Sequence, residues 1–298
     1  MAKAREYLDP NVLNKLGSME LVARCAMEGL YSGLHPSPFH GFSVEYSDHR
    51  NYQPGDELKC LDWKMYGRSD KLYVKQFLQE TNLTVYLLLD SSASMGFASG
   101  SLPSKLRYGS FLSAALAYLM LRQGDSVSLI TFADRITGQI PAGARRTHLN
   151  KVLTGLQHNT PAGRTDLAAV LHSVAEMTHR RGLVILISDL LDDVGEVQRG
   201  LAHLRHLNHD VILFHTLDPM ERRLDYDGLV EFRDMEGGGT VRTFPQSVRE
   251  AYCLRVEAFI DEVMRSCGRG KIDYHLLDTA QPLDKALLSY LARRKVMM

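Results

Sequence analysis

Residues Leu83 to Gly96 read L-T-V-Y-L-L-L-D-S-S-A-S-M-G. The mostly apolar run Leu83 to Leu89 is too short for a helical core and too continuous for a strand with one wet face, so it predicts a central parallel strand covered on both sides. Asp90, Ser92 and Ser94 follow at alternate positions, in a turn that feeds a helix from the carboxyl end of that strand, where open α/β sheets place their ligands. Hard oxygen donors of this kind suit a hard cation such as Mg2+. The same residue types also cap helices and close turns through backbone hydrogen bonds.

Two further stretches weigh against a purely structural reading. Gly163-Arg164-Thr165-Asp166-Leu167 opens a helix at Thr165 or Asp166, and the apolar run Leu183 to Ile187 predicts another buried strand ending in Ser188-Asp189. Both stand where loops on one sheet edge would complete a single site.

Outward from this centre, Leu13 to Leu34 has helical apolar spacing, and Phe42 to Tyr46 and Leu72 to Leu78 alternate like strands around a Pro54-Gly55 turn. Beyond the serines, Lys105 to Leu121 predicts a helix, Ser126 to Phe132 a strand and Ile136 to Ile140 a short edge strand. Helices follow at His148 to Leu156, Asp166 to Thr178 and Val194 to Leu207, with a strand at Val211 to Thr216. Asp218-Pro219 reads as a break. Leu229 to Phe232 and Thr240 to Phe244 flank Gly237-Gly238-Gly239 as a hairpin inserted near 225–245, before a helix from Gln246 to Met264, a strand from Ile272 to Leu277 and a closing helix from Leu283 to Ala292. This alternation predicts an α/β fold with a doubly wound, mostly parallel sheet over residues 81–298, preceded by an N-terminal helical and β extension over 1–80.

At 298 residues with 45% hydrophobic content, the chain can bury a sizeable core. Lys plus Arg equals Asp plus Glu at 35 each, so no overall field collects nucleic acid or anionic lipid. The longest apolar run, Phe111 to Leu121, is far shorter than the ~20 residues a membrane span needs. Cys25, Cys60, Cys253 and Cys267 are dispersed, as in reduced proteins, and Met1 to Pro10 lacks the apolar segment of a signal peptide, which together imply a cytoplasmic protein.

Taken together, Asp90, Ser92 and Ser94, then Thr165, then Asp189 resemble the metal-ion-dependent adhesion site of von Willebrand factor A domains. More narrowly, Arg50-x-Tyr52-x-Pro54-Gly55-Asp56, Asp62-Trp63, Tyr73-Val74-Lys75-x-Phe77, Glu80 and Asp278-Thr279-x-x-Pro282-Leu283 make the chain similar to the bacterial family called domain of unknown function 58, over roughly Phe39 to Arg294. The resemblance implies a von Willebrand A-like domain that binds Mg2+, with Mn2+ or Ca2+ as alternatives, through Asp90, Ser92, Ser94, Thr165 and Asp189. It also implies an open coordination position filled by a carboxylate of a partner protein. The implied partners are a MoxR-type AAA+ ATPase and a client protein, with a role in assembly or maturation, and neither nucleic acid nor membrane insertion is expected. Arg164 stands where related domains often have glycine, and Asp166, Asp192 and Asp193 lie close enough in sequence to alter the charge balance.

Catalytic readings fare less well. Gly96 to Lys105 lacks the P-loop pattern, and a haloacid dehalogenase-type phosphatase needs an aspartate where Ser92 stands. His203, His206 and His209 lack an accompanying carboxylate or cysteine at ligand spacing and read as a solvated helix face. The chain therefore reads as a binding module rather than an enzyme, with a metal-dependent hydrolase or a scaffold carrying a vestigial site as the alternatives. The charged residues around Trp63, from Arg50 to Lys75, fit either mutual ion pairing or a partner-binding face.

Overall fold

The strand that follows Leu83 is at the centre of the sheet. In the computed structural model, which describes residues 10–14, 18–33, 49–51, 66–67, 72–75, 83–178, 180–284 and 287–288, it runs from Thr84 to Asp90 (β3). It pairs in parallel with Ser126–Phe132 (β4) on one side and Leu183–Ser188 (β6) on the other. The remaining strands are Ile136–Gly143 (β5), Asp210–Leu217 (β7) and Asp273–Asp278 (β10). Together they form a six-stranded sheet in the order β10-β7-β6-β3-β4-β5. Only the edge strand β5 is antiparallel to its neighbour, so the sheet is α/β and mostly parallel, as its sequence pattern predicts. The chain order reverses between β3 and β6, and the crevice beyond the carboxyl ends of two such strands is the ligand position of doubly wound sheets.

Because side chains alternate across a strand, the continuous apolar runs feed two cores. Val85, Leu87 and Leu89 of β3 join Leu183, Ile185 and Ile187 of β6 on one face, while Leu88, Val184 and Leu186 join the other. Helix Lys105–Arg122 (α3) packs on the first face together with Pro10–Asn14 (α1), Met19–Gly33 (α2) and Arg146–His158 (α4). Helices Leu167–Met177 (α5) and Val194–His206 (α6) and the C-terminal part of Pro245–Arg269 (α8) cover the second. Gly109 lets α3 approach closely, since a Cβ there would stand 2.9 Å from Leu89 Cδ1 and 3.0 Å from Ile187 Cγ2.

The chain divides into two compact units, Met1–Leu34 with Leu83–Met298, and His35–Asn82. Helices α1 and α2, read from sequence with the N-terminal extension, share the core of the large sheet through Leu13, Met19, Val22, Ala23, Ala26 and Met27. Among the described residues of the smaller unit, His49–Asn51 (β1) pairs antiparallel with Tyr73–Lys75 (β2), matching Arg50 with Val74. The expected strand Phe42 to Tyr46, the Pro54-Gly55 turn and Trp63 lie outside the described residues. So does most of the closing helix, of which Leu283 and Leu287 are buried in the core.

Two expectations change. Asp218-Pro219, read as a break, opens the short helix Pro219–Arg223 (α7) with a capping box, in which Asp218 accepts from Met220 N and Glu221 accepts from Asp218 N. At the first helical position an N–H would have no intrahelical acceptor, so proline loses nothing there and the residue that stops one element starts the next. His209 is not on a solvated face. It is 1% exposed, takes a hydrogen bond on Nδ1 from Gly182 N, and presents Nε2 to Thr178.

Candidate functional site

Asp90 is the last residue of β3, and the backbone turns sharply behind it. Its Oδ1 accepts from Ser92 N at 2.9 Å and its Oδ2 from Ser188 Oγ at 2.6 Å, which ties β3 to β6 across the reversal point. Ser92 and Ser94 lie in and beside a 3-10 turn, Ala93–Gly96, with their hydroxyls 3.0 Å apart. The 160s loop is laced to this turn by Ala162 N to Ser91 O at 2.8 Å and Ala93 N to Gly163 O at 3.0 Å, which brings Thr165 to the same sheet edge. Asp189 follows β6 directly. The next residue, Leu190, is buried with a φ of 56°, an uncommon left-handed conformation for a branched side chain, and it turns the backbone away at this point.

Sequence reasoning missed the cation that sits here. Lys105 Nζ donates to Asp189 Oδ2 at 2.8 Å and to Glu221 Oε1 at 2.5 Å, and the Lys105 side chain is fully buried. A lysine in the first turn of a helix opposes the helix dipole. Arg107 stands in the same first turn, so this placement did not single Lys105 out. Burial pulls its ammonium toward deprotonation, but the Asp189 and Glu221 carboxylates outweigh burial and hold the pKa above its ordinary value.

The carboxylates outnumber this cation. Burial, followed by the charge of Asp189, pushes Asp90 up to about 7 against the lowering effect of the Ser188 and Ser92 hydrogen bonds. Glu221 is also raised, first by burial. His215 on β7 feels the Asp189 charge yet is pushed down to about 4, because its burial costs the imidazolium more than the carboxylate returns. Its Nδ1 lies 2.8 Å from the Tyr274 hydroxyl. Among the described residues, Lys105 thus serves Asp189 and Glu221, while Asp90 takes hydrogen bonds from Ser92 and Ser188.

The other nearby aspartates are explained by helix starts. Asp166 accepts from Ala169 N and caps α5, Asp193 accepts from Glu196 N and caps α6, and Asp192 accepts from Leu167 N. Arg164, in place of the glycine expected of related domains, donates from Nε to Glu236 O at 2.8 Å.

Among the described residues no group of three or more His, Cys, Asp or Glu side chains is placed to hold a metal ion. A cation bound here would therefore draw on the hydroxyls as well as on the two aspartates. Ser92 and Ser94 suit that role in one respect: oxygens on adjacent corners of an Mg2+ octahedron with ~2.1 Å bonds stand ~3.0 Å apart, matching the observed 3.0 Å. A cavity of about 360 Å3 opens nearby between β4, β5 and α4, but Asp90, Ser92, Ser94, Thr165 and Asp189 do not line it.

Fold and site together define a doubly wound α/β protein with a polar, acidic cluster at the reversal point of its sheet. The chain belongs to the family described as protein of unknown function DUF58, whose profile matches residues 48–258. It is 27% identical over 270 residues to the uncharacterized protein Rv1480 of Mycobacterium tuberculosis strain H37Rv, covering 87% of this chain and 83% of the relative. It is also 41% identical over 66 residues to the uncharacterized protein YeaD of Bacillus subtilis, covering 22% and 16%. Among solved structures, the conserved hypothetical protein BatB of Bacteroides thetaiotaomicron aligns with a TM-score of 0.49 at 18% identity, over 72% of this chain and all of that one. An aerotolerance-related membrane protein of Bacteroides fragilis aligns at 0.48 and 20% identity, over 71% and 99%. No helix among the described residues is long and apolar enough to cross a membrane.

Proposed function

We propose that the protein is a non-catalytic, cytoplasmic adaptor of the von Willebrand A type, which binds an acidic residue of a partner protein through a divalent cation, Mg2+ in the first instance. The observation that carries this reading is the charge imbalance at the reversal point. Among the described residues, Asp189 and the part-buried Glu221 share one ammonium, and the buried Asp90 carboxylate, near enough to feel the Asp189 charge, is hydrogen-bonded by Ser92 and Ser188, beside the hydroxyls of Ser92 and Ser94. Buried carboxylates without a full complement of cations are costly, and a hard cation with oxygen ligands relieves that cost.

In this reading Asp90, Ser92, Ser94, Thr165 and Asp189 hold the ion, directly or through water. When bound, the ion supplies a positive centre with room for one more oxygen ligand. Lys105 neutralises part of the Asp189 charge and holds that carboxylate in place. Ser188 fixes the rotamer of Asp90, and His215, neutral at physiological pH, adds no charge of its own. The family resemblance suggests a MoxR-type AAA+ ATPase as one partner.

Affinity capture with the full chain tests this reading. A MoxR-type ATPase of the host is expected to be retained in Mg2+ and lost both in EDTA and with Asp90→Ala. Equal retention in all three conditions would remove the metal site from the contact.

A further inference from the structure

The hairpin Val230–Arg233 (β8) to Thr240–Thr243 (β9) places a carboxylate on the candidate site, and no sequence motif announced it. Its tip is built by Asp234, whose Oδ1 accepts from Glu236 N and Oδ2 from Gly238 N, both at 2.8 Å. Gly237 and Gly239 supply the positive φ values of 96° and 110° that the tip requires. So constrained, Glu236 faces the 160s loop. Its Oε1 accepts from Thr165 Oγ1 at 2.8 Å, its Oε2 from Thr165 N at 3.0 Å, and its carbonyl from Arg164 Nε at 2.8 Å. Each oxygen of this residue thus accepts one hydrogen bond from Arg164 or Thr165, and a second lone pair on Oε1 is left for a cation. From Asp234 to Gly239 it is also the one residue that is half-buried rather than exposed.

The neighbouring Met235 reinforces the docking. A Cβ at Gly96, in the serine turn, would stand 3.3 Å from Met235 Cε and 2.9 Å from Pro161 Cγ, so the tip also closes on that turn. A two-stranded hairpin is marginal by itself. Its tip is positioned by the contact with Thr165 and Gly96, and it can leave without unmaking the sheet.

We propose that Glu236 is an internal ligand of the site, holding the position that a partner's carboxylate would take. The inference rests on the metal reading above. The 2.8 Å between Glu236 Oε1 and Thr165 Oγ1 is close to the ~3.0 Å edge of an Mg2+ octahedron, so an ion can take both oxygens without separating them. The free protein then carries its own acidic occupant, and an incoming Asp or Glu must displace the hairpin tip. Arg164 serves to fasten that tip, which gives the arginine a role where related domains often have glycine.

Mn2+ binding to the full chain, measured calorimetrically for the wild type, Glu236→Ala and Asp90→Ala, decides the matter. Glu236→Ala is expected to bind Mn2+ about tenfold or more weakly, and added acetate should restore that affinity while leaving the wild type unchanged. In the wild type, Mn2+ should also slow amide hydrogen exchange across residues 234–239. If Asp90→Ala loses Mn2+ but Glu236→Ala binds like the wild type and ignores acetate, the internal ligand is wrong and the metal site stands. If the wild type itself binds no Mn2+, the metal reading fails and the internal ligand with it.

Discussion

Lys105 Nζ stands 2.8 Å from Asp189 Oδ2, with both side chains withdrawn from solvent. An ion pair of this kind is a constraint more than a source of net stability, because desolvating the two groups offsets most of their attraction. Removing one partner is another matter. Lys105→Met should leave Asp189 buried without its cation and cost about 3–5 kcal/mol in urea unfolding. Adding Asp189→Asn to that variant should recover part of the loss. Excess Mn2+ should raise the melting temperature of Lys105→Met by more than that of the wild type, because a bound cation replaces the missing charge.

Asp90 and His215 impose opposite pH dependences in the metal-free protein. With its folded pKa raised to about 7 from an ordinary 3.8, Asp90 binds more protons folded than unfolded in that interval. Its contribution is therefore present at acid pH and is lost as pH rises toward about 7. His215 is lowered to about 4 from 6.5, so its contribution is present above that range and is lost as pH falls toward about 4. Urea unfolding in EDTA at pH 5 and pH 7.5 separates them. Asp90→Asn should gain on the wild type as pH rises, and His215→Gln should gain on it as pH falls.

Metal binding should carry the same signature from the other side. An ion held by Asp90 needs the carboxylate deprotonated, so Mn2+ affinity should climb as pH rises toward about 7. At pH 6, binding should release protons. Calorimetry in two buffers of different ionisation enthalpy would count them, and Asp90→Asn should abolish the release together with most of the binding.

Much of this arrangement was legible because strand periodicity and turn chemistry are local. Leu83 to Leu89 announced a buried central strand by continuity alone, and it observes the two-faced burial that continuity implies. Helix caps were equally readable, with Asp166 standing where its helix begins. Lys105 and Glu236 were not legible, because their roles depend on partners 84 and 71 residues away along the chain. No local pattern encodes such distances. A buried lysine looks like any surface lysine until the fold brings Asp189 and Glu221 to it. His209 failed for a local reason: its spacing matched a helix face, but the helix ends at His206 and the turn through Asn208, with a φ of 62°, sends it inward.

Asp218 joins three segments around the end of β7, and its loss should show as stability rather than affinity. It is fully buried, caps α7 through Met220 N at 2.8 Å, accepts from Ser99 N at 3.0 Å, and stands 3.4 Å from the Thr279 hydroxyl. A lone N-cap aspartate replaced by alanine costs about 0.5–2 kcal/mol. Asp218→Ala also removes the acceptor of the part-buried Ser99 amide, so its cost should exceed that range. Asp193→Ala, which removes only the cap of α6, should stay within the lower range. The contrast between the two substitutions, read from urea midpoints at equal slope, tests the assignment. Equal losses would mean that Asp218 acts as a simple cap and that its contact with the Ser99 loop adds nothing. Because Glu221 lies in the same capping box and takes the Lys105 ammonium, Asp218→Ala should also loosen the Lys105 pair, which a smaller effect of a following Lys105→Met substitution would reveal.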